Sequence, residues 1–165
     1  MYGYEMARLA TEEGLTDVCA LEQSALYAYL RNLEERGLVE WTEERVGRRP
    51  PRKQYRLNPA GRRTVDRWLR TPVQRMRDVR LELLLKLYFL GEDDPEAERE
   101  LLHRQIAACE EYLGRIETPG TTTPTGLGRL VSMSRASAAE ATIRWLKDYA
   151  GALSGEHGAA KRVER

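Results

Sequence analysis

Apolar positions divide the first seventy residues into short elements. Residues 3–13 read as a helix with Tyr4, Ala7 and Leu9 or Ala10 on its buried side, and Gly14 stops it. Leu15, Val18 and Leu21 predict a second, brief helical turn. A longer helix begins near Glu22 or Gln23. Along it Leu26, Tyr29 or Leu30, and Leu33 recur at i, i+4, i+7, Gly37 closes it, and Tyr27 and Arg31 fall on the outward side. Residues 38–43 and 54–57 are the good strand candidates, with Gly47, Pro50 and Pro51 marking the turn between them. Asn58 as N-cap and Pro59 at the first helical position then open a helix that carries Val65, Trp68 and Leu69 and ends near Thr71-Pro72.

Beyond Pro72 the pattern is helical throughout. Residues 79–90 place Leu81, Leu84, Leu85 and Tyr88 on one face and Leu83, Leu87 and Leu90 on others, so this helix needs cover on several sides. Asp93-Asp94-Pro95 opens the next helix, with acids where the macrodipole favours them. Its stripe is Leu102, Ile106, Cys109, Leu113 and Ile116. Residues 118–125 (TPGTTTPT) read as a loop, and residues 135–153 as a last helix offering Ala138, Ala141, Trp145, Leu146, Tyr149 and Leu153. Three such helices carry more apolar surface than a lone half can bury, which predicts a two-fold dimer. The resulting fold class is mainly α: a winged helix-turn-helix with a two-stranded wing over residues 1–71, a helical dimerisation domain with room for an effector over 72–155, and a disordered tail over 156–165.

Charge sharpens this picture. The chain sums to +1, yet between Arg45 and Arg70 ten Arg or Lys stand against one acid, Asp66. Such asymmetry predicts a local polyanion-binding face. A helix followed by a hairpin with a cationic tip is the ground plan of a winged helix, in which the helix enters the major groove and the tip holds the backbone. Gln23, Ser24, Tyr27 and Arg31 on the helix, and Arg48, Arg49, Arg52 and Lys53 on the wing, are the expected DNA contacts. Trp145 and Tyr149 are expected to stack on an effector between the two halves.

Other chemistry is not visible. Cys19 and Cys109 lie far apart and lack zinc-site spacing, and His103 and His157 are isolated, so no metal or cofactor is expected. No phosphate loop or nucleophile motif occurs, which argues against an enzyme. No apolar run approaches a membrane span, and a reduced, cytoplasmic setting is expected.

These residues resemble the PadR-family transcriptional regulators, in the longer type with a helical C-terminal domain. The resemblance runs from Gly3-Tyr4-Glu5 through Leu26-Tyr27, Leu30, Leu33-Glu34 and Gly37-Leu38-Val39 to Arg52-Lys53-Gln54-Tyr55-Arg56-Leu57 and Gly61. It continues in Arg77-Asp78, the run Leu81-Glu82-Leu83-Leu84-Leu85-Lys86-Leu87, and Ile143-Arg144-Trp145-Leu146. It implies a dimeric repressor, paired through its C-terminal helices on an inverted-repeat operator, that a small aromatic or phenolic effector can release. Two departures stand out. Asn58 replaces the family's usual threonine, and the family's apolar helix ahead of Gly-Tyr-Glu has no counterpart after Met1, which would expose part of the winged-helix core. The alternative reading is a protein-interaction and dimerisation module whose winged helix no longer binds DNA. Operator sequence, effector identity and the sign of regulation are not written in the residues.

Overall fold

The computed structural model describes residues 1–19, 21–45, 51–117 and 125–163. The chain divides into two compact units, Met1–Thr71 and Pro72–Arg165. Each is built on its own core.

The first unit runs α1 (Gly3–Glu12), α2 (Leu15–Val18), α3 (Gln23–Glu35), β1 (Val39–Glu44), β2 (Arg52–Leu57) and α4 (Pro59–Arg70). Leu26 and Leu30 of α3, Val39 of β1 and Tyr55 of β2 form its buried centre, with Met6, Ala7, Leu21 and Leu33 packed around it. The i, i+4 leucines of α3 thus face the inner side of the hairpin, as the sequence stripe predicts. Two expected core residues do not reach it: Tyr4 and Leu9 are 42% and 41% exposed. Ala7 and Ala10, the other option to Leu9, take the inward side as expected, and Met6 joins them in place of Tyr4. Tyr29, offered as an alternative to Leu30, is also exposed.

The strands pair antiparallel from Val39 opposite Leu57 to Glu44 opposite Arg52. Tyr2 forms an isolated antiparallel bridge to Gln54, and the Tyr55 N–H donates to the Met1 carbonyl. Asn58 caps α4 as expected, its Oδ1 accepting the Gly61 N–H at 2.8 Å, while its Nδ2 donates to the Gly37 carbonyl at 2.8 Å. Gly61 sits so close to the chain before β1 that a Cβ there would stand 2.0 Å from the Leu38 carbonyl oxygen. Only glycine allows α4 to approach the hairpin this closely.

The second unit holds α5 (Met76–Asp78), a π turn (Val79–Leu83), α6 (Leu84–Asp93), α7 (Pro95–Glu117) and α8 (Gly126–Val163). Leu83, Leu101, Leu102 and Leu146 are fully buried, each worth roughly 1.5–3 kcal/mol relative to exposure. Val79, Leu83, Leu87 and Leu90 form the buried stripe, whereas Leu81, expected on the main apolar face, is 52% exposed. The segment is apolar nearly all round, so its spacing alone does not choose the inward face.

The last helix is longer than its stripe suggests. It begins at Gly126, ahead of the expected start at 135, and continues to Val163, into residues expected as a disordered tail. Its buried positions are Ala139, Ile143 and Leu146, while Ala138, Ala141 and Trp145 face outward. Alanines on both sides of the helix make the inward face ambiguous in sequence. The expected loop at 118–124 lies outside the described residues.

Candidate nucleic-acid interface

Helix α3 presents Gln23, Ser24, Tyr27 and Arg31 on one exposed strip. At 3.6 residues per turn these four positions fall within an arc of about 100°, its centre about 100° round the helix from that of Leu26, Leu30 and Leu33. No side chain caps the start of α3; Glu22 is the N-cap and makes no side-chain bond. The first-turn N–H groups are therefore open to an anion. Tyr27 is less free than its neighbours. Its ring lies against Gly3 of α1, where a Cβ would stand 2.7 Å from the ring carbon Cε1.

The wing cations divide into different environments. Arg48 and Arg49, the expected tip contacts, lie outside the described residues. Arg52 is exposed on β2 with its guanidinium 5.4 Å from the Tyr4 ring centroid, a cation–π contact to α1. Tyr4 in turn stacks on Tyr2. Lys53 is held more closely: its Nζ lies 3.9 Å from the Trp41 ring centroid and 3.3 Å from Oε2 of Glu34. Arg45 pairs with Glu43 and Arg56 with Glu40. The exposed arginines of α4, Arg62, Arg63 and Arg67, add positive charge to the same unit.

Glu34 is the residue that sequence reading missed. The Trp41 indole N–H donates to its carboxylate and the Lys53 amine donates to both of its oxygens, at 3.4 and 3.3 Å. The Trp41 bond first, and then Lys53, hold the Glu34 carboxyl below the ordinary carboxylate range. In a sequence Glu34 is one of two adjacent acids at the end of α3; only the folded hairpin brings Trp41 and Lys53 to it.

Within the second unit an open cleft of about 1240 Å³ is lined by Arg75, Arg77, Arg80 and Arg135 and by no acid. Val79, Leu84, Tyr112 and Trp145 supply its apolar walls. Of the two aromatic residues expected at an effector, Trp145 lines this cleft and Tyr149 does not. Tyr149 stacks on Trp145 with centroids 6.2 Å apart and donates its hydroxyl to the buried Glu98 at 2.7 Å. Three buried polar side chains had no signal in the sequence: Lys86, whose amine lies 2.8 Å from Glu82, together with Glu98 and Gln105. Gln105 holds both backbone groups of Val73, accepting its N–H at 2.6 Å and donating to its carbonyl at 3.1 Å. Cys19 is exposed, while burial pushes the Cys109 thiol up and keeps it neutral. Among the described residues no group of His, Cys, Asp and Glu is arranged to hold a metal, and no helix is long and apolar enough to cross a membrane.

Residues 1–67 match the family described as Transcriptional regulator PadR-like family, and residues 79–154 match Virulence activator alpha C-term. Among solved structures the chain is similar to Bacillus subtilis PadR in complex with operator DNA, at 19% identity over 93% of this chain and 89% of that one, with a TM-score of 0.43. It is similar to the same protein in complex with p-coumaric acid at 20% identity, covering 93% and 90%, with a TM-score of 0.38. A PadR-like transcriptional regulator from Bacillus cereus is 21% identical, covering 94% and 91%, with a TM-score of 0.42. No curated protein matches the chain.

Proposed function

The chain belongs to the PadR-like family of transcriptional regulators, in its longer form, and on that premise we propose that it is a dimeric, sequence-specific repressor of an inverted-repeat operator. The observation that carries this reading is the exposed strip Gln23, Ser24, Tyr27 and Arg31 at the uncapped start of α3. Side chains so placed reach base edges while the helix N-terminus meets a phosphate. Arg48, Arg49 and Arg52 hold the flanking backbone, and each phosphate they neutralise steepens the salt dependence of binding. The protein works in the cytoplasm, where its DNA lies. This role needs no catalysis, and the family is one of regulators rather than enzymes.

Dimerisation is supported by α8, where Leu127, Leu130 and Met133 are 73%, 64% and 60% exposed. Regulation by a small aromatic or phenolic anion is supported by the arginine-lined cleft with Trp145 on its wall. Such a ligand stacks on the indole, places its charge among the arginines and shifts the protein toward a geometry that releases DNA.

The test is fluorescence anisotropy of a labelled duplex from the region upstream of the coding sequence, against a scrambled duplex, at several salt concentrations. Preference for the upstream duplex with a steep fall of affinity in salt supports the reading. Arg48→Ala with Arg49→Ala then flattens the slope, by about 0.9 for each phosphate that is no longer neutralised. Absence of binding to any duplex at low salt favours an interaction module instead.

A further inference from the structure

A wing cation that grips a phosphate needs an amine free to leave the protein surface. Lys53 is placed otherwise. Three elements meet at it: β2 carries Lys53 itself, β1 carries Trp41, and the last turn of α3 carries Glu34. Tyr55 is the partner of Trp41 in the ladder and Glu43 the partner of Lys53, so Lys53 and Trp41 are diagonal neighbours on one face of the hairpin. The amine lies over the indole at 3.9 Å and reaches both carboxylate oxygens of Glu34. Trp41 donates to that same carboxylate and closes the triangle. A negative charge at a helix C-terminus is disfavoured by the macrodipole, and here two donors from the wing offset it.

Arg52 gives the contrast. It sits one residue earlier on β2, so its side chain belongs to the other face of the hairpin, over Tyr4.

We propose that Lys53, Glu34 and Trp41 form a clamp that fixes the wing against the end of the recognition helix, and that Lys53 is a positioning residue rather than a phosphate contact. The clamp sets how the strands of the wing stand against the strip Gln23 to Arg31, and hence which phosphate Arg52 meets when the helix is in the groove. This inference rests on the DNA-binding reading above and reassigns Lys53, which the sequence offered as a DNA contact.

Signs separate the two roles. If Lys53 served only by its charge, Lys53→Met would weaken binding, whereas Glu34→Gln would strengthen it by removing a negative charge near DNA. A clamp makes both variants weaken it, because each opens the same triangle.

The experiment measures anisotropy of the full chain and of K53M, E34Q and the double variant on the preferred duplex across a salt series. Circular dichroism confirms that each variant is folded. Both single variants are expected to bind roughly two- to fivefold more weakly, the range of an exposed ion pair and cation–π pair. The double variant is expected to bind no more weakly than either single one, and the salt slope to stay that of the unaltered chain. Tighter binding by E34Q, or a slope reduced by about 0.9 in K53M, makes Lys53 a phosphate contact and overturns the clamp alone. Failure of the unaltered chain to bind any duplex overturns the DNA-binding reading and this proposal with it. Should E34Q or K53M fail to fold, Trp41→Phe, which removes the indole donor and leaves a smaller, weaker cation–π face, carries the same prediction of weaker binding at unchanged slope.

Discussion

Glu34 shows how much a single carboxylate can depend on its folded neighbours. Its ionised form is favoured by the Trp41 N–H and by Lys53, so its folded pKa lies below its unfolded value. For a lowered carboxylate the linked stability is present above the unfolded value and is lost as pH falls through the folded one. Melting curves of the unaltered chain and of Glu34→Gln are therefore expected to differ at pH 7 and to converge below about pH 4, near the reference range for glutamate. A difference that persists into acid would show that the substitution acts through something other than this charge. Tyr149 makes a different point at the same scale. An aromatic ring near Trp145 is plain in the sequence, but only the fold shows that its hydroxyl is committed to Glu98.

At the scale of elements, α3, the hairpin and α4 were readable because each is bounded by residues with one job. Gly37 adopts a positive φ of 64° after α3, and Asn58 and Pro59 open α4 where a cap and a first-turn proline belong. Asn58 goes further than a cap, since its amide also binds the Gly37 carbonyl and joins the start of α4 to the end of α3. Asn58→Asp is expected to keep the cap and forfeit only that second bond, whereas Asn58→Ala forfeits both and costs about 1 kcal/mol or more in urea unfolding. Equal costs would deny the Gly37 bond any weight. The second unit was less readable for physical reasons. The segment 79–90 is apolar nearly all round, so its spacing does not choose a face, and Gly126, Gly128 and the alanines of α8 hide a long helix behind weak helix formers and small side chains. The cleft arginines also escaped notice, because Arg135 lies far along the chain from Arg75, Arg77 and Arg80 and joins them only in three dimensions. The exposure of Tyr27 and Arg31 on α3, by contrast, is readable from the leucine spacing.

For the whole molecule the open question is what covers α8. Leu127, Leu130, Val131 and Met133 are all exposed near its start, an apolar patch that a soluble chain rarely leaves uncovered. On the dimeric, operator-binding reading proposed above, Leu130→Gln with Met133→Gln is expected to shift light-scattering mass from dimer to monomer and to weaken operator binding, since an inverted repeat needs two linked half-site readers. An unchanged mass would place the dimer contact elsewhere. The tie between Gln105 and Val73 has a consequence in time rather than in strength. Val73 lies in no helix, yet its N–H and carbonyl are both held by a buried side chain thirty-two positions further along the chain. Its amide can meet solvent only when α7 itself opens, so in heavy water it is expected to exchange as slowly as the core amides of that helix. Gln105→Leu should turn this one slow proton into a fast one. A peptide just past Pro72 thus serves as a clock for the opening of a helix to which it does not belong.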